Sequence, residues 1–240
     1  MGRIGDFFYH LIIVILVAAA LVFLLMAFKE QYPIWKNQQE LENLRSKVEK
    51  KKTKNENPHI NWENLKSTNP EIVGWIKVPG TKIDYPILQG KEWNEYLHKN
   101  YKEDYSYAGS IFIQPEAAFN DQHLIIYGHN MKNNTMFGSL PKYSKQEYYE
   151  EHSVLYLLTP KQNYKVKLIA GYVTPSDSKV YEFEKTKEER SGLLKTALDN
   201  SLFTSGTTVS DEDRLLTLST CSYEYDNARF VLMGILKEIG

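Results

Sequence analysis

An uncharged apolar run near the N-terminus limits how this chain can fold. Residues 11–28 read LIIVILVAAALVFLLMAF, with no charge, proline or glycine in the 18 positions. As a helix, a run of this length spans about 27 Å, close to the hydrocarbon thickness of a bilayer. We interpret it as an uncleaved transmembrane anchor. The alternative is a cleaved signal peptide, which has a shorter apolar part followed by a small-residue cleavage site. Here Ala18, Ala19 and Ala20 lie inside the run.

The remaining chain divides by composition into three further parts. Residues 1–10 form a short tail, residues 29–57 are polar and lysine-rich, and the dipeptide Asn57-Pro58 marks the start of a domain at 58–240. Leu41, Leu44 and Val48 recur at helical spacing, so the polar part is predicted to be a solvated helix or stalk. The flanking charges do not decide the orientation by the positive-inside rule. The short tail favours a cytoplasmic N-terminus and an extracellular domain.

Composition excludes several functional classes. The formal net charge is −1, and no zinc-finger or RNA-binding motif appears, so we expect no nucleic-acid partner. The chain has one cysteine, which rules out a disulfide within the chain and a cysteine-based metal cluster. A single thiol is either a small buried apolar group or a reactive one.

The domain is predicted to be mainly β, folded as a barrel or closed sheet. Short runs rich in β-forming residues are separated by turn residues, as in closed antiparallel folds. The predicted strands are residues 74–78, 83–88, 110–114, 124–127, 154–158, 164–173, 215–220 and 230–236. Short helical segments are predicted at 61–68 and 93–97. A longer amphipathic helix is predicted at 185–200, with one apolar face formed by Leu193, Leu194, Ala197 and Leu198.

Cys221 and Arg229 end and begin two successive predicted strands. Cys221 closes the run RLLTLSTC, a polar loop follows, and Arg229 opens RFVLMGIL. A strand–loop–strand of this length brings the chain back beside itself, so Arg229 is predicted to lie next to Cys221. A guanidinium beside a thiol favours the thiolate or holds a substrate carbonyl oxygen that gains charge during attack. The alternative is a surface ion pair of Arg229 with Glu224 or Asp226.

Two histidines are candidates for the proton carrier that cysteine acyl chemistry needs. His123 starts the apolar strand HLIIYG, and His129 follows its end in YGHN. Gly128 allows a sharp turn that would expose the imidazole of His129 at a strand end. His129 is therefore preferred to His123, although a histidine at a strand end is often only a surface residue.

Together these motifs resemble the sortase family. TLSTC followed by Arg229 eight residues after the cysteine is similar to the sortase signature, and YGHN is similar to its histidine motif. Residues 69–90, NPEIVGWIKVPGTKIDYPILQG, and the helical insertion before the cysteine strand resemble class B members in particular. The resemblance runs from Ile60 to the C-terminus.

The resemblance implies a fold and an activity. The fold is an eight-stranded β-barrel with N-terminal helices and a helix inserted before the cysteine strand. The activity is cleavage of a C-terminal sorting motif after its threonine in a secreted protein, and transfer of that threonine to a peptidoglycan amine. Cys221 would be the nucleophile, His129 the acid and base, and Arg229 the residue that binds the motif and stabilises the oxyanion.

Further positions follow from the resemblance. Leu97, Tyr181 and Ser219 would contact the sorting motif, which is NPQTN-like or xPxTG-like. Ser222 stands where some class B members carry an acidic residue, which leaves the motif open. Asp226 as a residue orienting the histidine is disfavoured, because acidic residues in polar loops are usually solvated. We expect no cofactor and no metal, because no acidic cluster resembles the calcium site of class A sortases.

Three other interpretations stay open at this point. A cysteine–histidine hydrolase of another fold would use the same residues but prefer water. A membrane-tethered wall-binding domain would carry an inert Cys221. An assembly partner would act through its lysine-rich stalk.

Overall fold

The computed structural model describes residues 2–48, 60–182 and 186–239, and it begins with one long helix, α1 (Gly2–Val48). Between Phe7 and Ser46 this helix is long and apolar enough to cross a membrane, judged by length and composition. The chain forms two compact units, residues 1–43 and residues 44–240. The domain boundary predicted at Asn57-Pro58 lies outside the described residues.

The larger unit is a closed barrel, with eight strands among the residues that the structure describes. The strands are β1 (Ile72–Lys77), β2 (Asp84–Gln89), β3 (Ile111–Ile113), β4 (His123–Tyr127), β5 (Val154–Leu158), β6 (Asn163–Pro175), β7 (Leu215–Cys221) and β8 (Ala228–Ile239). Around the barrel they follow the order β1-β2-β3-β4-β7-β8-β6-β5. The pairs β2–β3 and β4–β7 are parallel, and the other neighbours are antiparallel. The predicted barrel and its eight strands are confirmed.

Short helices connect the strands. In the described part of the chain after residue 59, the α-helices are α2 (Trp62–Thr68), α3 (Gln146–Glu151) and α4 (Lys187–Asp199), and 3₁₀ turns span Glu95–Leu97, Leu140–Ser144 and Lys179–Tyr181. Local capping explains where two of these helices start. The Asn61 side chain accepts from the Asn64 N–H at 3.1 Å, and Thr186 and Glu189 form a capping box at α4. The helices predicted at 61–68 and 185–200 are thus present with slightly shorter bounds.

Helix α4 covers the outer face of β6, β7 and β8. Its side chains Leu193, Leu194 and Ala197 pack with strand residues that alternate with those pointing into the barrel. The strand members of this apolar cluster are Ile169, Ala170, Tyr172, Leu215, Val231, Met233 and Ile235. The segment between β6 and β7 therefore lies over the same sheet face on which the chain later presents Cys221.

Leu198 was predicted on the buried face of α4, and that prediction is wrong. Its side chain is 43% exposed, whereas Leu193 is 6% exposed. At 3.6 residues per turn the two positions differ by about 140° around the helix. Leu198 also lies in the last turn, so it sits at the edge of the apolar stripe.

Because Leu193 is buried and Leu198 is exposed, alanine substitutions at the two positions form a matched pair of variants. Leu193→Ala should lower the free energy of unfolding by about 2–4 kcal/mol, because it removes buried methyl groups and leaves a cavity. Leu198→Ala should change it by less than about 0.5 kcal/mol, because the lost group is largely solvated. Chemical unfolding of the full chain in detergent micelles, followed by tryptophan fluorescence, measures both. Equal losses would contradict the assigned packing of α4.

Candidate active site

Cys221 and Arg229 lie directly opposite each other in the β7–β8 ladder. The two strands are antiparallel, and the register pairs Cys221 with Arg229. Opposed residues point to the same face, with Cβ atoms about 5 Å apart. The intervening loop is closed by a hydrogen bond from Ser222 N to Ala228 O at 2.9 Å. Both side chains are partly exposed, so a ligand could reach them together.

His129 lies beside Cys221, on the side of β7 that pairs with β4. Parallel pairing places Tyr127 beside Ser219, two residues before His129 and Cys221 respectively. The pairing continues past the end of β4, because Gly128 N donates to Ser219 O at 3.2 Å. Asn130 Nδ2 then donates to Cys221 O at 2.8 Å. His129 is therefore held next to Cys221, with Arg229 on the opposite flank.

The surface ion pair considered for Arg229 is not found in the described part of the chain. Arg229 Nη1 donates to Ala228 O at 3.0 Å, and no salt bridge joins it to Glu224 or Asp226 there. Glu224 instead accepts a hydrogen bond from the Ser222 hydroxyl. A guanidinium has five N–H donors, so Arg229 retains donors for a bound peptide.

Gly128 serves close packing rather than an unusual backbone angle. Its φ is not positive, in contrast to Gly80 and Gly109. A Cβ at this position would lie 2.4 Å from Ile111 Cδ1 and 2.8 Å from Phe137 Cδ2. A side chain here would push the strand end outward and with it His129. The predicted need for glycine holds, but its cause is the crowded barrel interior.

A backbone carbonyl fixes the tautomer of His129. His129 Nε2 lies 2.8 Å from Leu97 O. A carbonyl oxygen can only accept, so Nε2 carries the hydrogen and Nδ1 of the neutral ring keeps its lone pair. Nδ1 is then the nitrogen available to exchange a proton with Cys221 or a substrate. Because Leu97 O occupies the orienting position, an acidic residue such as Asp226 is not needed there.

Gly109 leaves room for the Leu97 carbonyl, and the sequence reasoning missed it. Gly109 has a φ of +56°, in the left-handed region that favours glycine. A Cβ there would lie only 2.2 Å from Leu97 O. A side chain at position 109 would therefore displace the carbonyl that orients His129.

A buried polar network anchors the residue next to Leu97. The Tyr96 hydroxyl donates to Glu71 Oε2 at 2.6 Å and accepts from Asn69 Nδ2 at 3.0 Å. Tyr96 and Asn69 are each 1% exposed. Burial and the hydrogen bond to Glu71 raise the pKa of Tyr96 far above its ordinary value. The network ties the Glu95–Leu97 turn to the start of β1, and no sequence signal pointed to it.

The surroundings of His129 disfavour its charged form. Burial lowers the pKa of His129, the hydrogen bond with Leu97 O raises it, and the neighbouring His98 lowers it. The ring centroids of His98 and His129 lie 5.4 Å apart with a tilt of 33°. The net direction is downward, so the imidazolium is a minor form at neutral pH.

His123, the other histidine considered, lies far from Cys221. It pairs with Leu215, six positions before Cys221 on β7. At about 3.3 Å per residue this places it roughly 20 Å away. Its Nε2 lies 2.8 Å from Thr217 Oγ1 within the strand surface. The preference for His129 over His123 agrees with this geometry.

The residues predicted to contact the sorting motif lie around Cys221, His129 and Arg229. The Tyr181 hydroxyl is 2.8 Å from Ser219 Oγ, and its ring stacks on Tyr127 at 6.4 Å. Burial raises the pKa of Tyr181, while the Ser219 hydrogen bond and Arg229 lower it. Tyr181 therefore covers the strand surface just before Cys221. Leu97 joins the site through its carbonyl on His129.

Among the described residues, no group of three or more His, Cys, Asp and Glu side chains could hold a metal ion. The chemistry of the cluster is that of a thiol between a proton carrier and a fixed cation. Such a set can attack an acyl carbon, stabilise the resulting oxyanion and protonate the leaving group.

The environment of His129 gives a direct test. We expect its pKa to lie below the ordinary value of 6.5 and its neutral form to carry the hydrogen on Nε2. His98→Gln should raise the pKa of His129, because it removes the neighbouring charge. Long-range proton–nitrogen NMR of the full chain, titrated with pH, reports both quantities. His152→Gln is the control, since that ring contacts Tyr148 and Pro79 instead. A pKa of 6.5 or higher, or the Nδ1–H tautomer, would refute this description.

Comparison with known proteins identifies the family. A family model described as "Sortase domain" matches residues 76–237. Sortase B of Listeria monocytogenes is 40% identical over 178 residues, which cover 72% of this chain and 72% of that protein. The Staphylococcus aureus sortase B–substrate complex superposes with a TM-score of 0.73 at 29% identity, covering 89% of this chain and 99% of that one. A structure of sortase B complexed with triglycine superposes with a TM-score of 0.70 at 30% identity, covering 75% and 86%. The chain therefore belongs to the sortase family, as a cysteine transpeptidase of class B.

Proposed function

We propose that this chain cleaves a sorting motif near the C-terminus of secreted proteins, after its threonine, and joins the threonine carbonyl to a peptidoglycan amine. The observation that carries the proposal is the lateral order of His129, Cys221 and Arg229 across β4, β7 and β8. The related structures include a substrate complex and a complex with triglycine, so those proteins bind a substrate and triglycine. Both ligands are of the kinds that the proposed reaction needs.

The first half of the reaction forms a thioacyl enzyme. The Cys221 thiolate attacks the threonine carbonyl carbon while His129 is the imidazolium, and the carbonyl oxygen gains negative charge as the tetrahedral intermediate forms. Arg229 supplies fixed donors to that oxygen and to the motif backbone. The C–N bond then breaks, and the Nδ1–H of the His129 imidazolium protonates the leaving amine.

The second half transfers the acyl group to the acceptor. The neutral acceptor amine attacks the thioacyl carbon, the C–S bond breaks, and the Cys221 sulfur leaves. Nδ1 of His129 takes the proton released by the amine, so the ring returns to the form with which it started. One peptide bond is exchanged for another, and no cofactor takes part in these steps.

The lowered pKa of His129 sets the pH response of the first half. That step needs the imidazolium, and its population falls as the pH rises through the lowered pKa. The acid form is therefore scarce at neutral pH, so only a small fraction of the enzyme holds the proton that the leaving amine needs. Arg229, a fixed cation, works at every pH in this range.

The motif is proposed to lie across Tyr181 and Ser219 toward Cys221. The Tyr181 side chain is partly exposed, whereas Ser219 is buried beneath it, and their paired hydroxyls offer a donor and an acceptor just before the thiol. The Leu97 side chain is half-buried beside His129 and is proposed as an apolar contact for the motif. Ser222 is turned toward Glu224, so an acidic residue in this loop is still near the site.

The N-terminal segment supports a membrane location. We propose that residues 1–10 are cytoplasmic, residues 11–28 cross the membrane, residues 29–57 form a stalk, and residues 58–240 form the extracellular catalytic domain. Helix α1 is long and apolar enough for this role. A membrane-held enzyme would meet secreted proteins as they emerge and wall precursors while they are still attached to lipid.

The first test follows cleavage and transfer together. The full chain in detergent micelles is incubated with fluorescence-quenched NPQTN-like and xPxTG-like peptides, with and without an amine acceptor. Cleavage after threonine should require Cys221, and mass spectrometry should find the threonine joined to the amine. Arg229→Lys should lower kcat by about 10²–10³-fold, because lysine cannot reproduce the forked donors.

Asp226→Asn is the control for this test, because Asp226 is exposed in the same loop as Ser222. Its kcat should stay within about twofold of the unaltered enzyme, as expected for a solvated surface residue. Cleavage that ignores the amine would indicate a hydrolase. Full activity of Cys221→Ala would show that the nucleophile is wrongly assigned.

The second test concerns the Tyr181–Ser219 hydroxyl pair. Tyr181→Phe and Ser219→Ala should each raise KM for the sorting peptide about 3–10-fold with little change in kcat, as for lost hydrogen bonds of about 1 kcal/mol. Because the two hydroxyls share one hydrogen bond, the double variant should be little worse than either single one. Steady-state kinetics of the two single variants and the double variant measure kcat and KM and test this expectation. Fully additive effects would mean that the hydroxyls act separately.

A further inference from the structure

The place where the acceptor binds follows from the proposed function together with the strand order of the site. Cys221 has Arg229 on one flank and His129 on the other. The leaving amine and the incoming amine both exchange a proton with His129, so they occupy the same place in turn. The acceptor must therefore approach over the His129 flank, away from Arg229.

On that flank the surface continues as a row of rings. The centroid of the His98 ring lies 5.4 Å from that of His129 and 6.3 Å from that of Tyr105, and the His98 and Tyr105 rings are nearly parallel at 26°. Tyr105 is 78% exposed. The row leads outward from the proton carrier to solvent. The centroids of His129 and Tyr105 are therefore at most about 12 Å apart, a distance that three to four residues of extended peptide span.

The backbone holds this row in place. Lys99 and Tyr105 form an isolated antiparallel bridge, and Ser106 N donates to His98 O at 2.9 Å. Asn100 Oδ1 accepts from the N–H groups of Lys102 and Asp104 at 2.8 and 3.0 Å. An exposed aromatic ring on a fixed turn binds a flat peptide group at little entropic cost, because only two side-chain torsions need ordering.

We propose that the ring pair of Tyr105 and His98 binds the peptide chain that carries the acceptor amine. The amine reaches the thioacyl carbon beside His129, and the peptide groups behind it lie on the two rings. An acceptor with no chain behind its amine cannot use this surface. The site therefore selects amines carried on a peptide and favours their transfer over hydrolysis.

The test compares two acceptors of different reach. The full-length enzyme in micelles is acylated with a cleavable sorting peptide in the presence of hydroxylamine or of a peptide acceptor. The peptide acceptor is whichever of triglycine and a free-amine stem peptide the unaltered enzyme uses better. The ratio of transferred to hydrolysed product reports capture from one common thioacyl enzyme, so it is independent of how the sorting peptide binds.

Tyr105→Ala should lower this ratio about fivefold or more for the peptide acceptor, as expected for loss of one aromatic contact. For hydroxylamine the ratio should change much less. Tyr105→Phe should retain the ratio, because the ring is what binds. Tyr107→Ala is the matched control, since Tyr107 is also exposed, at 67%, on the same loop.

Three outcomes would overturn the proposal. The ratio for the peptide acceptor could be unchanged in Tyr105→Ala. It could fall equally for hydroxylamine, which would indicate general damage to the site. It could fall equally in Tyr107→Ala, which would indicate an effect of the whole loop. If the unaltered enzyme transfers to no amine at all, the proposed function fails instead, and that result is distinct from these three.

Discussion

The site depends on the register of three neighbouring strands. Parallel pairing of β4 with β7 sets His129 level with Cys221, and antiparallel pairing of β7 with β8 sets Arg229 level with both. A slip by one residue in either ladder would turn one side chain to the opposite face. The buried faces of β4, β7 and β8 oppose such a slip, because it would move their apolar residues out of the barrel. The energy that stabilises the core therefore also aligns the reactive groups.

The sequence predicted the parts of the site that depend on local patterns. Cys221 and Arg229 flank a short loop between two apolar strands, so their pairing follows from hairpin geometry. The link to His129 is different, because a parallel pair between strands about 90 residues apart leaves no periodic signal. The resemblance to sortases supplied that link. The barrel, the helix before the cysteine strand and the class B relationship were likewise predicted from motifs and agree with the structure and the comparisons.

The residues that sequence reasoning missed act through long-range backbone contacts. Gly109 leaves the space that the Leu97 carbonyl occupies, and Asn69 and Glu71 hold Tyr96 from more than 20 positions away. Leu97 was predicted as a contact of the sorting motif, yet its carbonyl orients His129. The role of Gly128 was attributed to its backbone freedom, whereas the barrel interior leaves no room for a side chain. In each case the sequence shows the residue type but not the neighbour that makes it necessary.

Closure of the barrel limits how an extended substrate can be recognised. Many proteins bind a linear peptide by adding it as one more strand at an open sheet edge, which reads the backbone over many residues. Here each barrel strand already has a neighbour on both sides within the described residues, so that mode is not available on the barrel wall. In the proposed function the peptide is held by side chains, chiefly the Arg229 fork and the Tyr181–Ser219 hydroxyls. Recognition is then confined to the few residues that these groups reach, so unrelated proteins can share the enzyme by carrying the same short tag.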